Sequence, residues 1–181
     1  MNNQYFILRH GQARSNKYDF VSSWPEKGYN PLTRDGKKQV KQVIKKLKRE
    51  NIDLIFSSDV LRAKSTAEII GKSLNLKINF DKRLREINTG DLNGSSIEKW
   101  YGYFGNSNRF EKRPPNGENL TDVFNRAKGF LDDIDNKYKE KNILIVSHSD
   151  LLVSFQGISK NLFAEKSFSI KGQKTGELRK L

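Results

Sequence analysis

The chain has 181 residues, of which 35% are hydrophobic and none is cysteine, and its formal net charge at pH 7 is +13. A chain of this length is expected to fold as one domain, residues 1–181, and without cysteine it has no disulfide, no thiolate metal site and no cysteine nucleophile. The surplus of Lys and Arg would attract phosphorylated substrates and nucleic acid alike, although Lys-rich helix faces at the surface also explain much of it.

The N-terminal segment predicts a short buried strand that ends at a histidine. Tyr5 to Leu8 form an apolar run, which stops at Arg9-His10-Gly11. Four consecutive apolar residues are too few for a signal peptide or a membrane span, so we expect a cytoplasmic protein. Residues 17–31 contain a Trp-Pro and an Asn-Pro pair, which predict an irregular loop.

Strands and helices then alternate along the chain. Thr33 is suited to cap a helix, and apolar residues recur at helical spacing from there through Arg49. The pattern next predicts a strand at Leu54–Phe56, a helix from about Val60 to Leu74 and a strand at Lys77–Phe80. This order is typical of a parallel sheet with helical connections.

The second half of the chain continues the alternation. Residues 81–94 are highly charged and contain two glycines, which predicts an exposed excursion. After it, the pattern predicts a long amphipathic helix from Asn119 to Tyr138, a strand at Asn142–Val146, a short helix after Asp150, and terminal hairpin strands at Ser167–Ile170 and Glu177-Leu178. The expected fold is therefore α/β, a three-layer α/β/α sandwich around a mostly parallel central sheet.

The two histidines of the chain, His10 and His148, each follow the carboxyl end of a predicted parallel strand. Open α/β sheets place their ligand sites at this edge. Arg9 precedes His10, and Arg62 lies one turn into the helix after the Leu54–Phe56 strand, so both guanidinium groups can converge on an anion there. Arginine guanidinium groups can donate two hydrogen bonds to phosphate oxygens, which favours a phosphoryl pocket. Arg62 could instead form a surface ion pair.

Five sequence blocks, spread over residues 5–155, carry a resemblance to a known family. In chain order they are ILRHGQARSN, SSDVLRAKSTA, LREINTGDLNG, PPNGENLTDVFNR and VSHSD. The Arg-His-Gly block and the four blocks that follow it resemble the histidine phosphatase superfamily, also called the phosphoglycerate mutase-like family. The family's fold agrees with the α/β architecture expected from the pattern of strands and helices.

The resemblance implies a role for several residues of this chain. His10 matches the nucleophile, and Glu86 matches the proton donor, although Glu86 could also pair with Arg83 or Arg85 at the surface. The residues that match the phosphate-binding positions are Arg9, Arg62 and His148, and those that match possible substrate-binding positions are Gln12 and Asn16. The scheme uses no metal ion and no cofactor, because the cationic side chains neutralise the phosphoryl oxygens.

One block departs from the family pattern. Many members carry glycines after the second histidine, whereas this chain has Ser149-Asp150. Asp150 would bring a negative charge near the phosphate pocket, unless it caps the following helix, which is the role we expect. The departure therefore concerns the substrate range rather than the fold.

The predicted activity is hydrolysis of phosphomonoesters, and two alternatives stay open. The first is a mutase, disfavoured because only about two dozen residues separate Gly90 from Pro114 and the family's mutases carry an insertion there. The second is a basic platform for nucleic acid or a phosphorylated partner, disfavoured because no aromatic residues interleave with basic ones. We expect a small phosphorylated substrate, no membrane or nucleic-acid partner, and a monomer or homodimer. The aromatic residues of the expected specificity segments could form either a pocket wall or core: Trp24, Trp100, Tyr101, Tyr103 and Phe104.

Overall fold

A computed structural model describes residues 1–181 and contains one five-stranded sheet with seven helices. The strands are β1 Gln4–Arg9, β2 Leu54–Ser57, β3 Ile78–Phe80, β4 Asn142–Ser147 and β5 Leu178–Lys180. The helices are α1 Arg14–Lys17, α2 Arg34–Leu47, α3 Leu61–Leu74, α4 Ile97–Phe104, α5 Leu120–Lys137, α6 Ser149–Ser159 and α7 Ala164–Ser167. The strand order is β3-β2-β4-β1-β5, and every pairing is parallel except that of β5 with β1.

Helices cover both faces of the sheet because successive strand residues point to opposite sides. In β1, Phe6 and Leu8 pack with α2 and α3 in one cluster of buried apolar residues. Tyr5 and Ile7 belong to a second cluster, which includes residues of α4, α5 and α6. The predicted three-layer α/β/α sandwich is therefore confirmed. No helix combines the length and the apolar character that crossing a lipid bilayer requires.

Local sequence signals set the N-terminal starts of the two amphipathic helices. Thr33 Oγ1 accepts a hydrogen bond of 3.0 Å from the Gly36 amide at the start of α2, and Asn119 Oδ1 accepts one of 2.9 Å from the Asp122 amide at the start of α5. Each bond satisfies one of the amides that the first turn of a helix leaves without a partner. The predicted capping role of Thr33 and the start of α5 at Asn119 are confirmed.

The site-forming edge of the sheet is built by three strands that end at the same level. His10, Ser58 and His148 are the first residues beyond β1, β2 and β4, respectively. The ladder continues one step past the strands, because the His10 amide donates to Ser147 O at 3.0 Å and the Ser58 amide donates to Val146 O at 3.1 Å. Strand register therefore places these three side chains side by side.

One prediction about a connecting segment was wrong, and one helix was not predicted. Residues 81–94 are not an exposed excursion, because Leu84, Ile87 and Leu92 are buried in the cluster that contains α5 and α6. These three apolar side chains anchor the segment to the protein, and most of its charged residues are only partly exposed. The following segment, which carried no helix prediction, contains α4.

The predicted terminal hairpin is also wrong. Ser167 ends the short helix α7 and packs so closely on Gly157 of α6 that a side chain at Gly157 would clash with it. β5 pairs instead with the open edge of β1, through Phe6 to Leu8, a partner far away in sequence. Strand propensity indicates an extended segment but not its partner, which explains the error.

Candidate active site

His10 is held as a neutral imidazole with one nitrogen directed toward an arginine. It is 1% exposed, and its Nδ1 lies 2.8 Å from Gly11 O, a carbonyl that can only accept, so Nδ1 carries the proton. Its Nε2 accepts a hydrogen bond of 3.1 Å from Arg62 Nε. Burial, followed by the charges of Arg62 and Arg9, lowers the pKa of His10 well below its ordinary value of 6.5. The imidazole is therefore unprotonated at Nε2 near neutral pH.

His148 lies next to His10, with the ring centroids 5.1 Å apart and the ring planes at 59°. Its Nε2 is 2.9 Å from Ser58 Oγ, while its buried Nδ1 has no hydrogen-bond partner. Burial is the main cause that lowers the pKa of His148 well below 6.5, and Arg62 adds to it. A buried polar atom without a partner is unusual in proteins, and Nδ1 of His148 is free to make a hydrogen bond to a ligand in the adjacent cavity.

Two arginines converge on the histidine pair. Arg62, in the first turn of α3, is 3% exposed and donates from Nη1 to Ser22 Oγ at 3.2 Å and from Nη2 to Ser22 O at 3.0 Å. Arg9 donates from Nη1 to Gln173 O at 2.7 Å, and its buried Nε has no partner. Glu26 Oε1 lies 3.7 Å from Arg62 Nη1 and offsets part of the charge of Arg62, whereas Arg9 forms no ion pair with a carboxylate. The site therefore keeps positive charge available for an anion.

Glu86 borders the same cavity, in a segment fixed by two side chains from elsewhere. Its backbone carbonyl accepts hydrogen bonds from Trp24 Nε1 at 2.9 Å and from Arg126 Nη2 at 3.1 Å. Arg126 also donates to the carbonyls of Arg83 and Arg85, at 2.6 and 2.7 Å. One guanidinium group on α5 thus holds the backbone from which the Glu86 carboxyl projects.

The cavity at this edge of the sheet has a volume of about 340 Å³. Its lining residues are Arg9, His10, Ser15, Asn16, Phe20, Val21, Ser22, Arg62, Glu86, Ile87, Thr89, Ile97, Trp100, Tyr101, Ser149 and Asp150. Five of the seven residues singled out in the sequence therefore border one cavity. His148 lies directly behind it, fully buried.

The two residues expected to contact substrate differ in their positions. Asn16 lines the cavity, and its Oδ1 accepts a hydrogen bond of 2.9 Å from the Ala13 amide, which leaves its amide nitrogen available. Gln12 is not among the lining residues, and its Oε1 accepts a bond of 2.7 Å from Thr33 Oγ1. The loop-stabilising role is the one that these contacts show for Gln12.

The expectation that Asp150 caps a helix was wrong. His148, rather than Asp150, occupies the N-cap position of α6, and the Asp150 carboxylate lines the cavity with Arg109 Nη2 3.6 Å away. Burial and the nearby Glu86 raise the pKa of Asp150 to about 6, and Arg109 partly opposes this. The helix start directs Asp150 toward the sheet edge because α6 begins immediately after His148.

Sequence reasoning did not identify four residues that support the site. These are Ser22, Ser58, Arg126 and Gln173. Ser58 had a usable signal, because it follows a buried strand in the same way as the two histidines do. Ser22 and Gln173 reach the site from an irregular loop and from near the C-terminus, and no local pattern indicates that.

Comparison with known proteins places the fold and these residues in one family. The sequence model of the histidine phosphatase superfamily, branch 1, matches residues 5–175. The chain belongs to the histidine phosphatase superfamily, which confirms the predicted family.

Relatives and solved structures agree with this assignment. Phosphoserine phosphatase 1 of Hydrogenobacter thermophilus is 33% identical over 124 residues, which cover 65% of this chain and 59% of that relative. The probable phosphoglycerate mutase GpmB of Escherichia coli is 32% identical over 152 residues, 80% of this chain and 69% of that protein.

Among solved structures, a mycobacterial glucosyl-3-phosphoglycerate phosphatase has a TM-score of 0.87 at 22% identity, over 98% of this chain and 91% of that one. The α-ribazole phosphatase of Shigella flexneri has a TM-score of 0.86 at 23% identity, over 98% and 89%. At these identities the two structures show a shared fold.

Proposed function

We propose that this protein hydrolyses phosphomonoesters through a phosphohistidine formed on His10. The observation that carries the proposal is the state of His10, a buried neutral imidazole whose Nδ1 proton is engaged by Gly11 O and whose Nε2 lone pair lies beside Arg62. A neutral imidazole nitrogen is a competent nucleophile, and the fixed tautomer directs its lone pair toward the arginines. The names of the relatives, which include a phosphatase, support the same activity.

The phosphoryl group is bound by donors that otherwise lack partners. Arg9 Nε and His148 Nδ1 are buried without a hydrogen-bond acceptor, and phosphoryl oxygens supply one. Arg62 Nε donates to His10 Nε2 in the structure, and it donates to a phosphoryl oxygen instead when His10 attacks. These donors neutralise the charge on the equatorial oxygens in the transition state, which is the role that a metal ion plays in other phosphatases. We therefore propose catalysis that needs no metal ion.

In the first step, His10 Nε2 attacks phosphorus and the bond from phosphorus to the leaving oxygen breaks. The carboxyl of Glu86, in its protonated form, gives its proton to that oxygen, so the alcohol leaves neutral. The Nδ1 proton of His10 stays on Nδ1, where it is donated to Gly11 O, and the imidazole of the phosphohistidine carries the positive charge that results from the new N–P bond.

In the second step, water attacks the phosphohistidine and the N–P bond breaks. The Glu86 carboxylate takes one proton from the water, which regenerates its acid form, and inorganic phosphate leaves. The products are the alcohol and phosphate, and His10 returns to its neutral state. Removal of the Glu86 carboxyl should therefore slow both steps.

We propose water rather than a second substrate hydroxyl as the acceptor. The segment between Gly90 and Pro114 contains one eight-residue helix, α4. Tyr101 on this helix borders the cavity and is still 57% exposed, so the cavity stays open to water. A mutase must instead keep water away from its phosphohistidine.

The test is phosphate release from a panel of small phosphomonoesters in the presence of a chelator, comparing the wild type with His10→Ala. Lys45→Ala, an exposed change on α2, serves as the control. We expect turnover by the wild type and the control, and a loss of at least a thousandfold in His10→Ala. Rapid quenching into alkali should trap an acid-labile phosphoryl group on the wild type. Equal turnover by His10→Ala would overturn the proposal.

A further inference from the structure

Asp150 gives the cavity a second carboxylate, next to the proposed proton donor. It is the second residue of α6, its side chain is 25% exposed, and it borders the cavity together with Glu86. Both carboxyl groups border this one cavity, and the charge of Glu86, after burial, raises the pKa of Asp150. The lining of the cavity thus contains two cationic groups, Arg9 and Arg62, and two carboxyl groups, Glu86 and Asp150.

The nearest cation, Arg109, offsets the charge of Asp150 only in part. Arg109 Nη2 is 3.6 Å from Asp150, beyond hydrogen-bond distance, and Arg109 is not among the residues that line the cavity. Its guanidinium group lies instead over the rings of Trp100, Tyr101 and Phe104, at 5.8, 5.6 and 5.5 Å from their centroids. These rings share the guanidinium group with Asp150, whose side chain stays 25% exposed and borders the cavity, where a substrate can reach it.

The cationic and the acidic groups of the cavity meet different parts of a phosphomonoester. The phosphoryl group belongs with His10 and the arginines, so the leaving group extends toward Glu86, which must reach the leaving oxygen. Asp150 then lies against the substituents of the leaving group. A carboxylate or a second phosphate on that group would meet Asp150 as a like charge, whereas an ammonium or a hydroxyl would donate a hydrogen bond to it.

We propose that Asp150 selects phosphomonoesters whose leaving alcohol carries a hydrogen-bond donor without negative charge, an ammonium group above all, and rejects leaving alcohols that carry a carboxylate. This inference rests on the proposed function and names the substrate class of the same site. It also disfavours phosphoglycerates, whose leaving groups carry a carboxylate next to the phosphoester.

Three monoesters of nearly equal size test the proposal: 2-aminoethyl phosphate, 2-hydroxyethyl phosphate and carboxymethyl phosphate. We expect kcat/KM of the wild type to fall in that order, with roughly a hundredfold between the first and the last. In Asp150→Asn, which keeps the shape and removes the charge, this ratio should shrink by about tenfold or more. Because the intrinsic reactivity of each ester is the same for both proteins, the change in the ratio reports the charge of Asp150.

Asp132→Asn is the matched control, because Asp132 is an exposed acid on α5 whose partner is Lys128. This variant should keep the wild-type ratio. A wild-type preference for carboxymethyl phosphate, or equal ratios in the wild type and Asp150→Asn, overturns the proposal.

A binding measurement separates this inference from the proposed function. In His10→Ala, which cannot form the phosphohistidine, calorimetry with the three esters should give affinities in the same order. Adding Asp150→Asn should make the three affinities nearly equal. If the wild type hydrolyses none of the esters but this order of binding is found, the phosphatase proposal fails while the selectivity of Asp150 stands. If binding shows no order, the selectivity proposal fails whatever the activity.

Discussion

His10 and His148 occupy equivalent positions on neighbouring parallel strands, each one residue beyond the strand end, and their imidazole rings lie 5.1 Å apart. The His10 amide is itself bonded to the residue before His148, so the pairing of β1 with β4 sets the relative position of the two rings. Because the backbone sets the position of each ring, substitution of a side chain that contacts a ring should change the activity more than the fold.

Ser58→Ala should lower kcat/KM by roughly tenfold, because His148 Nε2 loses its partner and the ring loses its fixed tautomer. The change in KM should be small compared with the change in kcat if Nδ1 acts mainly in the transition state. Steady-state kinetics on one monoester measures both. Ser73→Ala, at an exposed position of α3, is the control. Wild-type kinetics in Ser58→Ala would show that Ser58 does not orient His148.

Arg126→Ala should reduce both stability and kcat, because three backbone carbonyls before and at Glu86 lose a charged donor. Glu118, the ion-pair partner of Arg126, would also be left with little solvent contact. We expect a loss of about 2–4 kcal/mol in the free energy of unfolding, measured in urea. Lys128→Ala, which removes an exposed pair on the same helix, should change it little. Arg126→Ala with a normal stability and a normal kcat would contradict this account.

The two buried histidines should make the protein less stable as the pH falls below about 6.5. Burial, Arg62 and Arg9 lower the pKa of both rings in the folded state, whereas the unfolded chain protonates them near 6.5. Below that pH the unfolded state binds more protons, so each histidine reduces the free energy of unfolding by up to about 1.4 kcal/mol per pH unit. Urea unfolding at pH 7.5, 6.5 and 5.5 measures the slope, and His148→Asn should remove part of it.

Asp150 should oppose this trend. Its pKa is raised to about 6, mainly by burial and by Glu86, with Arg109, Arg9 and Arg126 acting in the opposite direction. As the pH falls through 6, the folded state takes up this proton before the unfolded state does, which adds stability. Asp150→Asn should therefore steepen the loss of stability between pH 6.5 and 5. A shallower slope in this variant would contradict the assigned direction.

Gly36→Ala and Gly129→Ala should have opposite effects although both glycines lie in helices. A Cβ at Gly36 would overlap the backbone of Gln12, two residues after His10, whereas a Cβ at Gly129 would meet nothing within 4 Å. Gly129→Ala should stabilise α5 by about 0.5–1 kcal/mol, because alanine loses less backbone entropy in a helix. Gly36→Ala should destabilise the protein and lower kcat by displacing the loop after His10. Thermal unfolding and kinetics of both variants test the pair.

Much of the site could be predicted from the sequence because its main residues are tied to strand ends. His10 and His148 follow apolar runs that are easily identified, and Arg62 lies at a fixed distance beyond a third one. The helix caps at Thr33 and Asn119 are equally local signals. Such features depend on a few neighbouring residues, and the structure agrees with them.

The rest depends on contacts between distant segments. Ser22 meets Arg62, and Gln173 meets Arg9, across 40 and 164 positions of sequence. Asp150 was expected to cap a helix, since acids in a first turn often do, but the helix starts so close to the sheet that the carboxylate borders the cavity. The pairing of β5 with β1 could likewise be predicted only if β1 were known to have an open edge in the sheet. A single sequence does not specify these distances.

The position of the two imidazoles on adjacent strands makes their spacing independent of the loops that border the cavity. Their spacing of 5.1 Å is close to the distance between neighbouring strands, about 4.8 Å, and it is maintained by backbone pairing. The loop at residues 17–31 and the segment that carries α4 contribute Ser22, Trp100 and Tyr101 to the cavity without taking part in that pairing. Insertions or substitutions in these two segments can therefore change which alcohol is accepted while the distance between His10 and His148 stays the same.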